Sequence, residues 1–428
     1  MTVKISSLTP LARFLGVVAG LIVVASCGGS SSSSSSSTSS SPPPTVSNSV
    51  DVEVNLGPTD DYVNGLFTSV QVCAPGSTTN CVTVPDVLVD TGSSGLRLLS
   101  GALGGLSLPA VTDSSGNDVQ ECVQFISLAY IWGPVAQADI HLSGETASSA
   151  AIHIISESPQ YGVPASCLTL GTNGAVDYNS LSALGANGIL GVANYAQDCA
   201  IPGCNEASNE VPQYYVCPSG NCQFATFSSS GIVTNPVSLF SQDNNGVLIS
   251  LPTIPAVGQQ TASGLLIFGI GTQSNNALGS ATIYLVDAYS DFTTTYNGTQ
   301  YSNSFIDSGS NALYFLDYAT LGTIECTDSF GNPAGFYCPP STLNFTVTNS
   351  GTNGTSGSVS FSIANAANLF SNTTFAAFND LGGDSGTSPS TDYFDFGVPF
   401  FFGRNVFTGI AGTTVPNGVS APYGYWAY

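Results

Sequence analysis

Positive charge is almost missing from this chain. Its 428 residues carry four basic side chains, Lys4, Arg13, Arg97 and Arg404, against 27 Asp and Glu. A surface of that balance repels nucleic acid and anionic lipid headgroups, which argues against both as partners. Histidine is nearly as scarce. His141 and His153 lie on expected strands with no Ser or Cys nucleophile pattern near them, so a triad hydrolase is not indicated. Stretches of helical periodicity are few, whereas 47 Gly, 24 Pro, 18 Tyr and 23 Phe point to an all-β protein of many short strands with small helical content. At this length a large core and about two domains are expected.

The apolar run Phe14 to Val24 has 11 residues, too few for a permanent membrane span. It follows Lys4 and Arg13 and leads into Val24-Ala25-Ser26-Cys27, so residues 1–26 read as a lipoprotein signal peptide. The tetrad resembles a bacterial lipobox, which implies lipidation of Cys27; ordinary secretory cleavage is the alternative. Residues 27–50 then form the lipid anchor and a Ser/Pro-rich tether, with a coil reach on the order of 25 Å. The expected location is that of an exported bacterial lipoprotein, on the periplasmic side of a membrane or at the cell surface, with Gly28 compatible with outer-membrane sorting. Loss of the signal leaves Arg97 and Arg404 as the basic residues. In acid, little positive charge then remains to drive the chain apart, which fits either tolerance of an acidic setting or plain acidic solubility.

Beyond Cys27 the chain has Cys73, Cys81, Cys122, Cys167, Cys199, Cys204, Cys217, Cys222, Cys326 and Cys338. An even number in an exported chain suggests up to five disulfides. Close spacing favours Cys73 with Cys81 and Cys326 with Cys338. If the cluster of Cys199, Cys204, Cys217 and Cys222 pairs internally, by any of three connectivities, Cys122 is left for Cys167. Zinc in that cluster is disfavoured by the export and by the lack of nearby His.

One motif occurs twice: Asp90-Thr91-Gly92-Ser93-Ser94 and Asp307-Ser308-Gly309-Ser310. Each follows an apolar stretch, Val87-Leu88-Val89 or Phe305-Ile306, so each Asp stands where a buried strand breaks into a turn. A single copy reads as turn chemistry; two copies behind apolar strands point to a shared site. Each copy is followed by a second signal, Ile189-Leu190-Gly191 in one half and Asp395-Phe396-Gly397 in the other. The order implies an internal repeat, an N-terminal β-lobe at 51–232 and a C-terminal β-lobe at 233–428, facing each other across a cleft. The Asp-Phe-Gly at Asp395 lacks every other kinase element.

These residues resemble the pepsin-like aspartic peptidases. Val89 to Leu96 is similar to the family's first active-site loop and Ile306 to Ser310 to its second. Gly188-Ile189-Leu190-Gly191 and Phe396-Gly397, the latter leading to Pro399, Phe401 and Arg404, resemble the steps behind those loops, and Gly264 to Gly269 the strand that enters the second lobe. The likeness spans roughly residues 50–428, and with its lipobox the chain looks closest to an uncharacterised bacterial family of exported pepsin-like lipoproteins. It implies a bilobal acid-protease fold with an active-site cleft between two related β-lobes. It also implies an endopeptidase that uses Asp90 and Asp307 as its catalytic pair, without cofactor or metal.

Two carboxyl groups in contact cannot both ionise and share one proton. The ionised one takes a proton from water while its partner polarises the scissile carbonyl. By position in the motif, Gly92 and Gly309 let backbone N–H groups reach the inner carboxylate oxygens and Ser93 and Ser310 bond the outer ones. Thr91 and Ser308 stand where the family cross-links its loops. The covering hairpin departs from the family. Counting back from Gly133 places Phe125 near the usual Tyr, while Tyr130 is the available tyrosine, so both are flap candidates. Arg97 replaces a supporting aromatic residue; buried, it needs a carboxylate or carbonyls. Residues 28–50 contain no Lys or Arg and do not resemble a basic prosegment. Two functions follow: a membrane-anchored, monomeric aspartic endopeptidase acting on polypeptides, or a catalytically silent lipoprotein of the same fold that binds a protein ligand or serves a structural role in the cell envelope.

Overall fold

The computed structural model describes residues 47–168, 175–199, 213–227, 231–327, 333–385 and 393–428. The expected signal, Cys27 and most of the tether lie outside them, as does Cys204. The chain is mostly β. Among the described residues the α-helices are single turns, Leu181–Leu184, Tyr318–Leu321 and Ala366–Leu369. Ser180, Asp317 and Asn365 cap them by accepting backbone N–H bonds from the first turn. None of the described helices is long and apolar enough to cross a membrane.

The strands follow from period-two patterning. In the hairpin Leu343–Ser350 with Ser356–Ile363, Phe345, Val347 and Val359 point inward while Asn344, Thr346 and Ser360 point out. The strands gather into two large curled sheets. In the first, Gly65–Cys73 pairs with both Cys81–Asp90 and Ala129–Leu142. The path Ala129–Leu142, Glu145–Ile155, Ser94–Leu99, Gly188–Val192, Cys81–Asp90, Gly65–Cys73 therefore closes into a six-stranded ring. Ser49–Asn55 continues this sheet into the second half of the chain by pairing antiparallel with Ala262–Phe268. The second sheet contains the strands around Asp307 and packs a dense aromatic core, in which Phe315 meets Tyr337, Phe345, Phe361 and Phe394 at centroid distances of 5.0 to 5.5 Å.

The two halves repeat one local topology. Cys81–Asp90 runs parallel to Gly188–Val192, with Asp90 opposite Gly191, and the strand leaving the Asp loop, Ser94–Leu99, returns antiparallel on the other side of Gly188–Val192, with Gly95 opposite Gly191. In the second half Thr299–Ile306 runs parallel to Asp395–Phe396, and Leu313–Phe315 returns antiparallel to it. Each Asp loop thus straddles its own Gly step. The glycines are required by this crowding. A Cβ on Gly191 would stand 2.7 Å from the carbonyl oxygen of Ser93, and one on Gly397 would stand 2.2 Å from that of Ala312. Gly397→Ala is accordingly expected to cost about 1–3 kcal/mol, read as a lower denaturant midpoint at unchanged slope.

Four disulfides join described cysteines: Cys73–Cys81, Cys122–Cys167, Cys217–Cys222 and Cys326–Cys338. The two close pairings and Cys122 with Cys167 agree with the spacing argument. Within the four-cysteine cluster the structure selects Cys217 with Cys222, and Cys199 is also disulfide-bonded.

Candidate active site

Asp90 and Asp307 lie at the ends of their strands, both fully buried. Their carboxyls are close enough for each to perturb the ionisation of the other. Each carboxyl is held in the same way. Oδ1 of Asp90 accepts the Gly92 N–H at 2.7 Å and Oδ2 accepts the Ser93 hydroxyl. Oδ1 of Asp307 accepts the Gly309 N–H at 2.8 Å and Oδ2 lies 3.0 Å from the Ser310 hydroxyl. A Cβ on Gly92 would stand 2.6 Å from Cγ of Asp307, so a side chain there would occupy the second carboxyl's place.

Thr91 and Ser308 tie the loops across the halves. The Ser308 hydroxyl accepts the Thr91 N–H at 3.1 Å and donates to the Val89 carbonyl at 2.8 Å. The Thr91 hydroxyl accepts the Ser308 N–H at 2.9 Å and donates to the Ile306 carbonyl at 3.2 Å. All four groups are buried, so every donor and acceptor of the two hydroxyl cross-links is satisfied away from water.

Burial pushes the carboxyl of Asp307 well above its usual range, and the neighbouring Asp90 and Asp395 push it further in the same direction. Asp90 is also raised by burial, but the neighbouring Asp307, the hydrogen bonds from Ser93 and Gly92 and the charge of Arg97 counter the rise. The pair is therefore unequal: the arrangement favours an ionised Asp90 beside a protonated Asp307.

Arg97 finds both kinds of partner that a buried guanidinium needs. Nη1 donates to the Ser94 carbonyl at 2.8 Å, and Nη2 lies 3.2 Å from Oε1 of Glu121 and 2.8 Å from Oδ2 of Asp198. Gln213 donates to both carboxyls and Tyr214 donates to Asp198 at 2.6 Å. Glu121 is destabilised by burial, yet Arg97 and His153 outweigh that and bring it down to about 2. Asp198 goes the other way, raised by burial and by Glu121. His153, fully buried, is lowered to about 4 by desolvation, so at neutral pH the uncharged ring faces Glu121, with Nδ1 3.1 Å from Oε2. The guanidinium of Arg97 thus faces both buried carboxyl groups of the cluster and offsets their charge. None of Glu121, His153, Asp198 or Tyr214 was marked by a motif, because each comes from a different segment.

The hairpin of Val119–Gln124 and Ala129–Leu142 turns at residues 125–128, closed by the Leu128 N–H on the Phe125 carbonyl. Its two candidate aromatics part company. Phe125 belongs to a buried cluster with Tyr62, Leu88, Ile131, Tyr178 and Ile189. Tyr130 belongs to a separate cluster with Trp132 and Tyr215, and its hydroxyl donates to Asp177 at 3.1 Å. Burial and that carboxylate push the Tyr130 phenol up to about 12.

Tyr62 is the residue near the pair that sequence reasoning missed. Its ring stacks edge-on against Phe67 at 5.6 Å and its hydroxyl makes no hydrogen bond among the described residues. Desolvation and the charges of Tyr178, Tyr314, Asp307 and Asp90 drive this phenol far above its usual range. Two residues on, Asn64 pins the segment to the second half, donating to the carbonyls of Asn311 and Phe378 and accepting the Phe378 N–H, all within 2.9 Å. No cluster of three or more His, Cys, Asp or Glu with metal-holding geometry occurs among the described residues.

Among curated proteins none matches this sequence. Among solved structures, the aspartic proteinase from Irpex lacteus is similar over 89% of this chain and 96% of its own, at 15% identity and a TM-score of 0.43. A likeness of that size carries no weight by itself beside the side-chain geometry. The profile of one family covers residues 44–428, and the chain belongs to that family, described as Protein of unknown function (DUF3443).

Proposed function

We propose that this protein is an aspartic endopeptidase of pepsin-like, bilobal design, using Asp90 and Asp307 and an activated water to hydrolyse peptide bonds. The observation that carries the reading is the meeting of two buried carboxyls, each oriented by its own Gly N–H and Ser hydroxyl, in loops cross-linked by Thr91 and Ser308. Such a pair costs stability and is hard to account for by packing alone. In the proposed reaction Asp90 takes a proton from water, whose oxygen attacks the carbonyl carbon. The proton on Asp307 moves to the carbonyl oxygen; as the tetrahedral intermediate collapses, the C–N bond breaks, the amine takes the proton held by Asp90, and a hydroxyl of the intermediate returns one to Asp307. Phe125 is the better flap candidate of the two, since it shares a buried cluster with Tyr62, a residue that the charges of Asp90 and Asp307 reach. In the same proposal a lipid on Cys27 holds the monomeric enzyme in the cell envelope of a bacterium, where it acts on unfolded polypeptides.

Cleavage of a reduced, unfolded protein between pH 2 and 6 tests this. The wild type is expected to release peptides that neither Asp90→Asn nor Asp307→Asn releases. Identical peptide maps from wild type and variants, or no peptides from any, would leave the silent binding module as the reading.

A further inference from the structure

The two Asp loops hold their carboxyls alike, with a Gly N–H on one oxygen and a Ser hydroxyl on the other, and differ in what stands behind that hydroxyl. In the first half the residue opposite Leu88, two positions before Asp90, is Ile189. It is fully buried and apolar, and leaves the Ser93 hydroxyl to serve Asp90. In the second half the corresponding residue, opposite Phe305 and two positions before Asp307, is Asp395. Its side chain is 4% exposed, and its Oδ2 lies 2.6 Å from the Ser310 hydroxyl, which also stands 3.0 Å from Oδ2 of Asp307.

A hydroxyl carries one proton, and two carboxyl oxygens reach for this one. If Ser310 donates to Asp395 along the shorter contact, the outer oxygen of Asp307 must bring a proton of its own to keep the longer one. If Ser310 donates to Asp307, Asp395 must be the protonated acid. Either way the row Asp307, Ser310, Asp395 retains one proton more than the row Asp90, Ser93, with its apolar Ile189, requires. The titratable groups facing Asp395 include Asp307 and the phenol of Tyr393, itself near Asp384, and Tyr314 stands opposite it on the neighbouring strand. Those facing Asp307 are Asp90, Asp395 and the phenol of Tyr62. Arg97 acts from the opposite side, on Asp90.

We propose that Asp395 is a positioning residue for the carboxyl pair, holding a proton on the Asp307 side through the Ser310 hydroxyl so that Asp90 is the member that ionises. The catalytic consequence rests on the peptidase reading; the proton-holding itself does not. Replacing Asp395 by Ile copies the first half into the second and frees Ser310 to donate to an ionised Asp307. That follows when Ser310 donates to Asp395 along the shorter contact: Asp307 then gives up its proton more easily in the variant, whereas a proton resting on Asp395 leaves the Asp307 midpoint where it was.

The test uses Asp395→Ile and the isosteric Asp395→Asn, which keeps the volume should the first variant fold poorly. In pH profiles of kcat/KM the alkaline limb is expected to move to lower pH by about one unit in both, with KM changed less than about twofold. Carbon-13 NMR titration of carboxyl-labelled aspartate gives a readout free of activity. The wild type is expected to show a buried carboxyl that stays protonated above the ordinary carboxylate range, and the variants to show its midpoint lowered. Unmoved midpoints in the NMR titration overturn the proposal whether or not the protein cleaves peptides. Lowered midpoints in a protein without peptidase activity uphold the proton-holding role and sink the catalytic reading instead.

Discussion

Asp307→Asn is expected to lower kcat/KM for peptide cleavage by about a thousandfold or more, while leaving the protein as stable as the wild type in acid and more stable near neutrality. The loss of activity follows from removing the proton donor to the scissile carbonyl. The stability half depends on sign. The folded-state pKa of Asp307 is raised well above its unfolded value, by burial first and by Asp90 and Asp395 next. Its contribution to stability is therefore fully present below the unfolded value, near 3.9, and is lost as pH rises toward the folded one. Asparagine has no charge to bury and does not suffer that loss. Melting curves at pH 3 and pH 7 check it: the variant is expected to match the wild type at the lower pH and to melt higher at the upper. A variant that melts lower at pH 7 would mean that the carboxyl is a satisfied structural ion, and with it the case for a strained catalytic pair would fall.

Arg97→Met is the second large effect, and it falls on the fold. Methionine replaces the aliphatic stem but leaves Glu121, fully buried, without the cation that keeps it ionised, and Asp198 without its 2.8 Å partner. Breaking a buried ion pair from one side costs about 3–5 kcal/mol. The expected result is a lower midpoint in urea by that equivalent, and partial recovery in the double variant Arg97→Met, Glu121→Gln, where the stranded charge is gone. If the double variant is no better than the single, packing rather than charge is what Arg97 supplies. Because Arg97 lies on the strand that leaves the first Asp loop, the single variant is expected to lose activity faster than structure.

Local signals were legible in the sequence and distant pairings were not. The doubled Asp-x-Gly-Ser loops and their Gly steps could be read because each is a short segment whose residue types are demanded by its own turn or by backbone crowding, as at Gly191 and Gly397. The role of Thr91 and Ser308 was legible only through resemblance, since their hydrogen bonds join loops from opposite halves. Nothing local marks Glu121, His153 and Asp198 as one cluster around Arg97; His153 looked like a strand residue because it is one. Asp395 was visible as part of a Gly step, yet its contact with Ser310 spans 85 positions and required the sheet register to appear. Tyr62 has no motif at all. Phe125 and Tyr130 were indistinguishable on a hairpin read from sequence, and they separated when the two faces of that hairpin proved to join different clusters.

The hydroxyl cross-links at Thr91 and Ser308 have a mechanical consequence. Each hydroxyl donates to the carbonyl just before the opposing Asp loop and accepts from the main chain of the facing residue, so the carboxyl separation is gauged by backbone and not by long side chains. Any shift of one half of the chain against the other has to break these four buried bonds before the carboxyls can part, so the two keep their distance like the jaws of a caliper locked at one reading.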